Sequence, residues 1–188
     1  MTPGERPEDT HTVEPLASHH DRAAFACGHT LDRYLREQAR RDVKRYAAAA
    51  FVAVPRADTR VIAGYYTLSA ISVDAGELPP AVAAKLPRYP MLPATLLGRL
   101  AVDRRHQRRR LGEHLLVHAL RRSLTASREI GSLAVIVEAI DDRARAFYQH
   151  FEFIALPDQS RRLFLPPQSI ARVFGEKANA PHGGIRRG

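Results

Sequence analysis

The stretch Leu97–Leu124, LGRLAVDRRHQRRRLGEHLLVHALRRSL, decides how the rest of the chain is read. It opens as an apolar strand carrying Leu97, Leu100, Ala101 and Val102, passes through a basic loop and continues as a long helix. Leu111, Leu115, Leu116, Ala119, Leu120 and Leu124 recur at the spacing of one helical face. Between strand and helix lie Gln107, Arg108, Arg109, Arg110, Leu111 and Gly112. A turn of this kind directs unpaired backbone N–H groups, and the positive end of the helix dipole, at one point. That point suits a phosphate. Arginine side chains on the same turn add charge-assisted hydrogen bonds to it.

Working outward, 188 residues with 45% hydrophobic content suffice for one domain with its own core. The expected division is a disordered start over 1–11, a single domain over 12–174 and a flexible basic tail over 175–188. Lysine and arginine number 29 against 20 acids, a net charge of +9, which points to a polyanionic partner such as nucleic acid. With Cys27 as the one cysteine there is no internal disulfide, and a reducing, cytoplasmic setting is expected. No apolar run approaches membrane-spanning length, and the first residues lack the apolar core of a signal peptide, so no membrane partner is expected.

The coarse order of elements is that of a mixed α/β layer. Thr12–Leu16 reads as a short strand, His20–Phe25 as helix or turn, and Leu31 to Val43 as one helical stripe. Ala47–Val54 and Val61–Ile71 read as the strands of a hairpin. Five prolines between Leu78 and Pro93 forbid a long element there and leave room for one short helix, Pro80–Leu86. Beyond the long helix come an apolar strand over Leu133–Ile140, a helix over Arg143–Phe151 capped by Asp141-Asp142, and a terminal hairpin of Phe153–Leu156 with Arg162–Leu165. Gln168–Phe174 makes one more short helix.

The Gln107 loop resembles motif A of the GCN5-related N-acetyltransferase (GNAT) superfamily, in which Gln/Arg-x-x-Gly-x-Gly/Ala cradles the pyrophosphate of acetyl-CoA. Further blocks extend the likeness from about Leu16 to Ile170: Phe25-x-Cys27-Gly28-x-x-Leu31-Asp32-x-x-Leu35, Gly64-Tyr65-Tyr66-Thr67-Leu68-Ser69, Leu97–Asp103 and Ala146-Phe147-Tyr148. Together they resemble the acetyltransferase toxins of type II toxin–antitoxin pairs. Those enzymes acetylate the α-amino group of aminoacyl-tRNA, stop translation, and are paired with a small antitoxin bearing a DNA-binding ribbon-helix-helix end. The resemblance implies the GNAT fold, a mixed sheet flanked by helices, with acetyl-CoA as co-substrate and no metal. It also implies that the backbone of Leu100, Ala101 and Val102 pairs with the pantetheine arm, that Gln107, Arg108, Arg109, Arg110, Leu111 and Gly112 hold the pyrophosphate, and that Phe147 lies with the cofactor. Tyr148 takes the place of the catalytic tyrosine, and Arg99 is assigned to the acceptor side. A homodimer would let two basic surfaces span a tRNA.

Two positions depart from the family pattern. Arg110 stands where the first glycine is usual, so a side chain replaces bare backbone at the closest approach of the cofactor. Its N–H can still donate if its φ is negative, and altered cofactor contact is the expectation. Glu152 stands where glycine is usual in FYxxxGF and is expected to alter that turn.

The chemistry can be argued without the family. An amine attacks the thioester, and the departing thiolate needs a proton. A tyrosine of pKa about 10 is protonated at neutral pH and can donate to a thiolate of pKa about 8.5. A free α-amine titrates near 7.7–8.0 and an esterified amino acid lower still, so such a substrate scarcely needs a base, whereas a lysine, near 10.4, would. Each residue also has a plainer reading. Tyr148 alone would suit a core-facing helix. Glu138, inside an apolar strand run, is read as an edge residue whose carboxylate reaches solvent rather than as a base. His114 and His118 have metal-ligand spacing but no third ligand or HExxH pattern, and are read as surface histidines. Cys27 is read as a small buried residue. Two other functions stay open at this point: the same fold acting on a small amine or a protein N-terminus, and a basic nucleic-acid-binding protein that has lost cofactor binding through Arg110 and Glu152.

Overall fold

A computed structural model describes residues 6–86, 88–157 and 159–173. In chain order the elements are α1 (Pro7–Thr10), β1 (His11–Pro15), α2 (Leu31–Glu37), α3 (Ala39–Lys44), β2 (Ala49–Pro55), β3 (Gly64–Asp74) and α4 (Pro80–Ala83). They continue with β4 (Met91–Val102), α5 (Leu111–Ile130), β5 (Val135–Glu138), α6 (Asp142–His150), β6 (Ile154–Leu156), β7 (Gln159–Leu165) and α7 (Pro167–Val173). The strands form one seven-stranded mixed sheet in the order β1-β2-β3-β4-β5-β7-β6. β4 and β5 run parallel and every other neighbouring pair is antiparallel.

Strand alternation sorts the apolar residues into two layers. Phe51, Ala53 and Tyr66 face the α5 side and pack with Leu111, Leu115, Leu116 and Leu120. Val52, Val54 and Tyr65 face the opposite side and pack with Phe25, Tyr34, Leu35 and Ala39. The central strands are covered on both faces, which is why their sequences read as apolar runs rather than alternating ones. A third cluster fills the far end of the sheet, where Val73, Leu92, Ile136 and Phe164 meet Leu78.

Several boundaries differ from the sequence reading. The start expected to be disordered as far as residue 11 instead forms a helical turn, Pro7–Thr10, and His11 opens the first strand. Pro7 explains the turn, since proline suits the first helical position. The single helix expected across Leu31–Val43 breaks at Gln38, whose N–H closes α2 on Tyr34 while its C=O accepts from Arg41 and Asp42 of α3. Leu35 and Ala39 lie in one cluster on either side of that break, so the apolar stripe passes through it. His20–Phe25 forms turns with one bridge, Asp21 to Val61. β4 starts at Met91 and contains Pro93, whose C=O accepts from the Leu133 N–H. β5 keeps only Val135–Glu138 of the longer apolar run. Phe174 and the tail over 175–188 lie outside the described residues.

Candidate active site

The site is opened by a divergence of two strands. β4 and β5 share register only over Thr95, Leu96 and Leu97. On its other side β4 stays paired with β3 to Val102, with Gly98 as the extra residue where the register jumps from Thr67↔Arg99 to Leu68↔Leu97. A bulge bends its strand, and glycine is suited to it. From Gly98 to Val102 the second edge of β4 is therefore open, and an extended amide-bearing ligand can add to it as a strand does.

The loop after β4 is braced from beneath. Asp103 is buried, and its carboxylate accepts from the Arg105 N–H (2.9 Å), the Arg105 Nε (2.8 Å) and the Ala26 N–H (3.0 Å). Burial raises its pKa, but the Arg105 side chain and these N–H groups outweigh it and hold the carboxyl below its usual range. Arg104 N–H in turn donates to Ala26 C=O, and the Arg104 guanidinium lies where a Cβ on Gly28 would stand. Asp32 closes the same corner by accepting from the Cys27 and Gly28 N–H groups. The block Phe25–Asp32 thus clamps the turn that leads into α5.

In that turn Arg108 and Arg110 both adopt left-handed backbone, with φ of 62° and 58°. Arg110 therefore does not meet the condition of a negative φ: it takes the conformation in which glycine is cheapest, at roughly 1–2 kcal/mol for a side chain. The guanidinium is paired with Glu113 at 2.8 Å at the groove's rim and is 79% exposed, so it does not fill the corner. Among the described residues the N–H groups of Leu111, Gly112 and Glu113 have no protein acceptor, and no side chain caps α5. A Cβ on Gly112 would meet Val102 Cγ2 at 3.7 Å, ordinary contact, so internal packing does not require glycine there. Gln107 donates its side-chain amide to Val102 C=O at 3.1 Å and ties the loop to the strand end. An uncapped 20-residue helix with a bare residue in its first turn is fitted to a diphosphate.

From this corner a groove of about 540 Å³ runs between β4 and α6, walled by Leu100, Ala101, Val102, Arg108, Gly112 and Phe147 and ending at Tyr148. Gln107, Arg110 and Leu111 also line it; Arg109 does not, and its charge lies near His11 and His106. A second cleft of about 760 Å³ opens from the other side, between α2 and the ends of β4 and β5. His29, Leu31, Leu100, Ile140, Ala144 and Tyr148 belong to both. Two ligands entering from opposite sides would meet at this shared wall.

Tyr148 is positioned by α6, whose cap Asp141 accepts from the Ala144 N–H at 2.7 Å. Its ring packs between Phe147 and Phe153 at centroid distances of 5.3 and 5.4 Å and is 7% exposed. Its hydroxyl has no hydrogen-bond partner among the described residues, and burial pushes its pKa up. Glu152, like Arg110, stands where the family pattern has glycine and adopts the left-handed backbone that glycine favours. Its φ is 64°, and Phe153 N–H closes onto Tyr148 C=O.

The second cleft is walled by side chains. The Arg99 guanidinium stacks 3.4 Å from the centre of the Tyr34 ring, and the Tyr34 hydroxyl donates to Asp42 at 2.9 Å. Arg33 and Arg41 flank them, and the exposed carboxylate of Glu138 lies across the cleft. Sequence reasoning missed Tyr34, whose apolar spacing assigns it to the core, and His106, which lines the groove beside α5 and approaches His11 at 3.4 Å.

Two sequence readings need correction. His114 and His118 are half-buried rather than surface residues; His118 Nδ1 lies 2.7 Å from the Tyr66 hydroxyl, and burial with the nearby Arg122 pushes its pKa down to about 4. Cys27 is half-buried and lines the groove, and burial with the Asp32 hydrogen bond pushes its thiol up to about 11. One trio, Glu14, His19 and His20, brings three ligand atoms within 4.8 Å of one another. However, His20 Nδ1 accepts the Ala17 N–H, so its ring proton sits on Nε2 and points at Glu14. The pair is a hydrogen bond rather than a cation site. No helix among the described residues is long and apolar enough to cross a membrane.

Residues 14–153 match the model of the acetyltransferase (GNAT) family. The chain is 38% identical over 157 residues to a tRNA-acetylating toxin of Mycobacterium tuberculosis, covering 83% of this chain and 92% of that protein. Its fold matches AtaT complexed with acetyl-methionyl-tRNAfMet, with a TM-score of 0.81 and 31% identity over 87% of this chain and 99% of that one. It also matches a mutant AtaT toxin bound to acetyl-CoA and the C-terminus of the antitoxin AtaR, with a TM-score of 0.74 and 29% identity over 88% and 99% of the two chains. With a parallel strand pair splayed at Gly98, an uncapped helix facing the opening and a match covering most of its length, this chain belongs to the acetyltransferase (GNAT) family.

Proposed function

We propose that this enzyme transfers the acetyl group of acetyl-CoA to the α-amino group of an aminoacyl-tRNA and so acts as a toxin that halts translation. The observation that carries the reading is the shared wall at Tyr148, where a groove fitted to a diphosphate and a basic cleft converge. The similarity to a tRNA-acetylating toxin and to AtaT complexed with acetyl-methionyl-tRNAfMet supports the choice of acceptor.

In this reading the free N–H groups at the start of α5, with Arg108 and the Gln107-tied loop, bind the diphosphate of acetyl-CoA. Arg110 contributes its left-handed backbone, and Arg109 adds charge from behind the loop. The open edge at Leu100, Ala101 and Val102 pairs with the pantetheine amides, and Phe147 packs beside them. Arg99, steadied on Tyr34, binds the acceptor end of the tRNA. Attack by the neutral α-amine on the thioester carbonyl forms the C–N bond and breaks the C–S bond. Tyr148 gives its proton to the departing sulfur and regains one from the nitrogen, so the balance is one proton moved from amine to thiol. Burial keeps Tyr148 protonated at physiological pH. The same desolvation raises the proton affinity of a thiolate formed beside it, which brings donor and acceptor closer together. The residues over 12–174 make up the catalytic domain in this reading. A homodimer and a small ribbon-helix-helix antitoxin complete the assembly, and it works in the cytoplasm, where charged tRNA is found. The complex of AtaT with AtaR supports an antitoxin partner.

The test mixes protein, labelled acetyl-CoA and total charged tRNA. Wild type should label the aminoacyl fraction, and Tyr148→Phe should lower kcat by about 10²–10⁴. Equal labelling by both removes Tyr148 from the mechanism. Label on free amines or protein N-termini with none on tRNA assigns a different acceptor.

A further inference from the structure

The outer end of α3 carries a feature that neither the fold nor the chemistry at Tyr148 uses. Tyr46 is 97% exposed and its backbone is left-handed, with φ of 57°. It follows α3 at the position where helices commonly end on glycine, and Ala47 N–H closes the turn onto Asp42 C=O at 2.9 Å. Glycine would hold this turn at lower cost, and the fully exposed ring returns almost nothing to the core. A large aromatic kept in a strained, solvent-facing position is accounted for by a partner outside the chain.

The surrounding charge says which partner. Arg40, Arg41, Lys44 and Arg45 are all exposed, and among the described residues none has a carboxylate partner. The only acid in that run, Asp42, is committed to the Tyr34 hydroxyl. Arg41 lines the acceptor cleft, so the cationic track begins at the site itself. α3 is six residues, about 9 Å at the helical rise, so Tyr46, just past its end, stays close to Arg41. A track this short spans only a few nucleotides at stacked spacing, which suits the unpaired 3′ end of a tRNA rather than its stem. Unpaired bases can splay out and stack on an aromatic ring, while a basic track follows their phosphates.

We propose that α3 and the residues after it form a docking track for the single-stranded 3′ end of the acceptor tRNA, with Tyr46 stacking on one of its bases and Arg40, Arg41, Lys44 and Arg45 following the backbone. This rests on the aminoacyl-tRNA reading above. A second copy of the chain is the other occupant to be distinguished, and it is disfavoured because four unpaired cations would face their own kind across a two-fold interface.

The test measures KM for total charged tRNA in acetyl transfer, tRNA binding by anisotropy across a salt series, and sedimentation. Tyr46→Ala should raise KM by about 5–100-fold with the acetyl-CoA thermal shift retained, and Tyr46→Phe should recover most of the loss. The double variant Lys44→Ala/Arg45→Ala should flatten the slope of log affinity against log salt by about 1.4. Tyr46→Ala with wild-type KM, or a change in mass alone, overturns the track and, in the second case, assigns the surface to self-association. Wild type that fails to label charged tRNA overturns the acceptor reading itself, a result separate from any effect of Tyr46.

Discussion

The groove beside α5, proposed for the cofactor, and the cleft beside α2, proposed for the acceptor, meet at Tyr148 but are built from different materials. The groove is mostly backbone: the open edge of β4 at Leu100–Val102 and the uncapped N–H groups of Leu111, Gly112 and Glu113. The cleft is mostly side chain, with Arg99 stacked on Tyr34 and Arg33 and Arg41 alongside. Backbone geometry tolerates changes of residue so long as φ and ψ survive, which is what Arg110 and Glu152 do in place of glycine. Side-chain walls have no such tolerance, because each group supplies charge and shape at a single point. The donor half of such an enzyme can therefore stay constant while the acceptor half is free to differ.

The sharpest way to break this contrast is at the shared wall. Tyr148→Phe should lower kcat by about 10²–10⁴ while leaving acetyl-CoA binding intact in a thermal-shift titration; a lost shift would place the hydroxyl in cofactor binding instead. Next in size, Arg99→Ala should raise KM for charged tRNA by about 10–100-fold, the scale of a lost charged hydrogen bond, with KM for acetyl-CoA unmoved. Equal rises in both constants would mean that the two halves are not independent. Gly112→Ala should do the reverse, raising KM for acetyl-CoA several-fold while the melting temperature holds or rises, since alanine favours a helix by up to about 1 kcal/mol. A fall in melting temperature would show that glycine serves the fold there. The smallest effect belongs to Glu152→Gly, which relieves left-handed strain and should stabilise the protein by roughly 1 kcal/mol. In a chain of this size that is about 2–4 °C, readable by calorimetry. An unchanged or lower value would mean that Glu152 makes a compensating contribution through its side chain.

Legibility followed the same divide. The strand–loop–helix around Gln107 was readable because a local pattern, apolar strand then basic turn then a four-residue helical repeat, sets backbone direction over a short stretch. The break at Gln38 was not, since Leu35 and Ala39 keep the apolar stripe continuous across it. The backbone of Arg110 was not legible for a related reason. Residue type biases φ but does not fix it, and the Asp103–Ala26–Arg104 clamp holds this turn from residues far away in sequence.

By itself the sequence determined the apolar strands, the basic turn that opens α5 and the short α6 that carries Tyr148, because each is written in a local pattern of about twenty residues or fewer. Tertiary structure alone decided that β4 parts from β5 after Leu97, that Tyr34 holds Arg99 from within the core layer, and that two grooves share Tyr148. Those facts join α2, β4, β5 and α6, and no local periodicity records which distant surfaces the folded chain brings face to face.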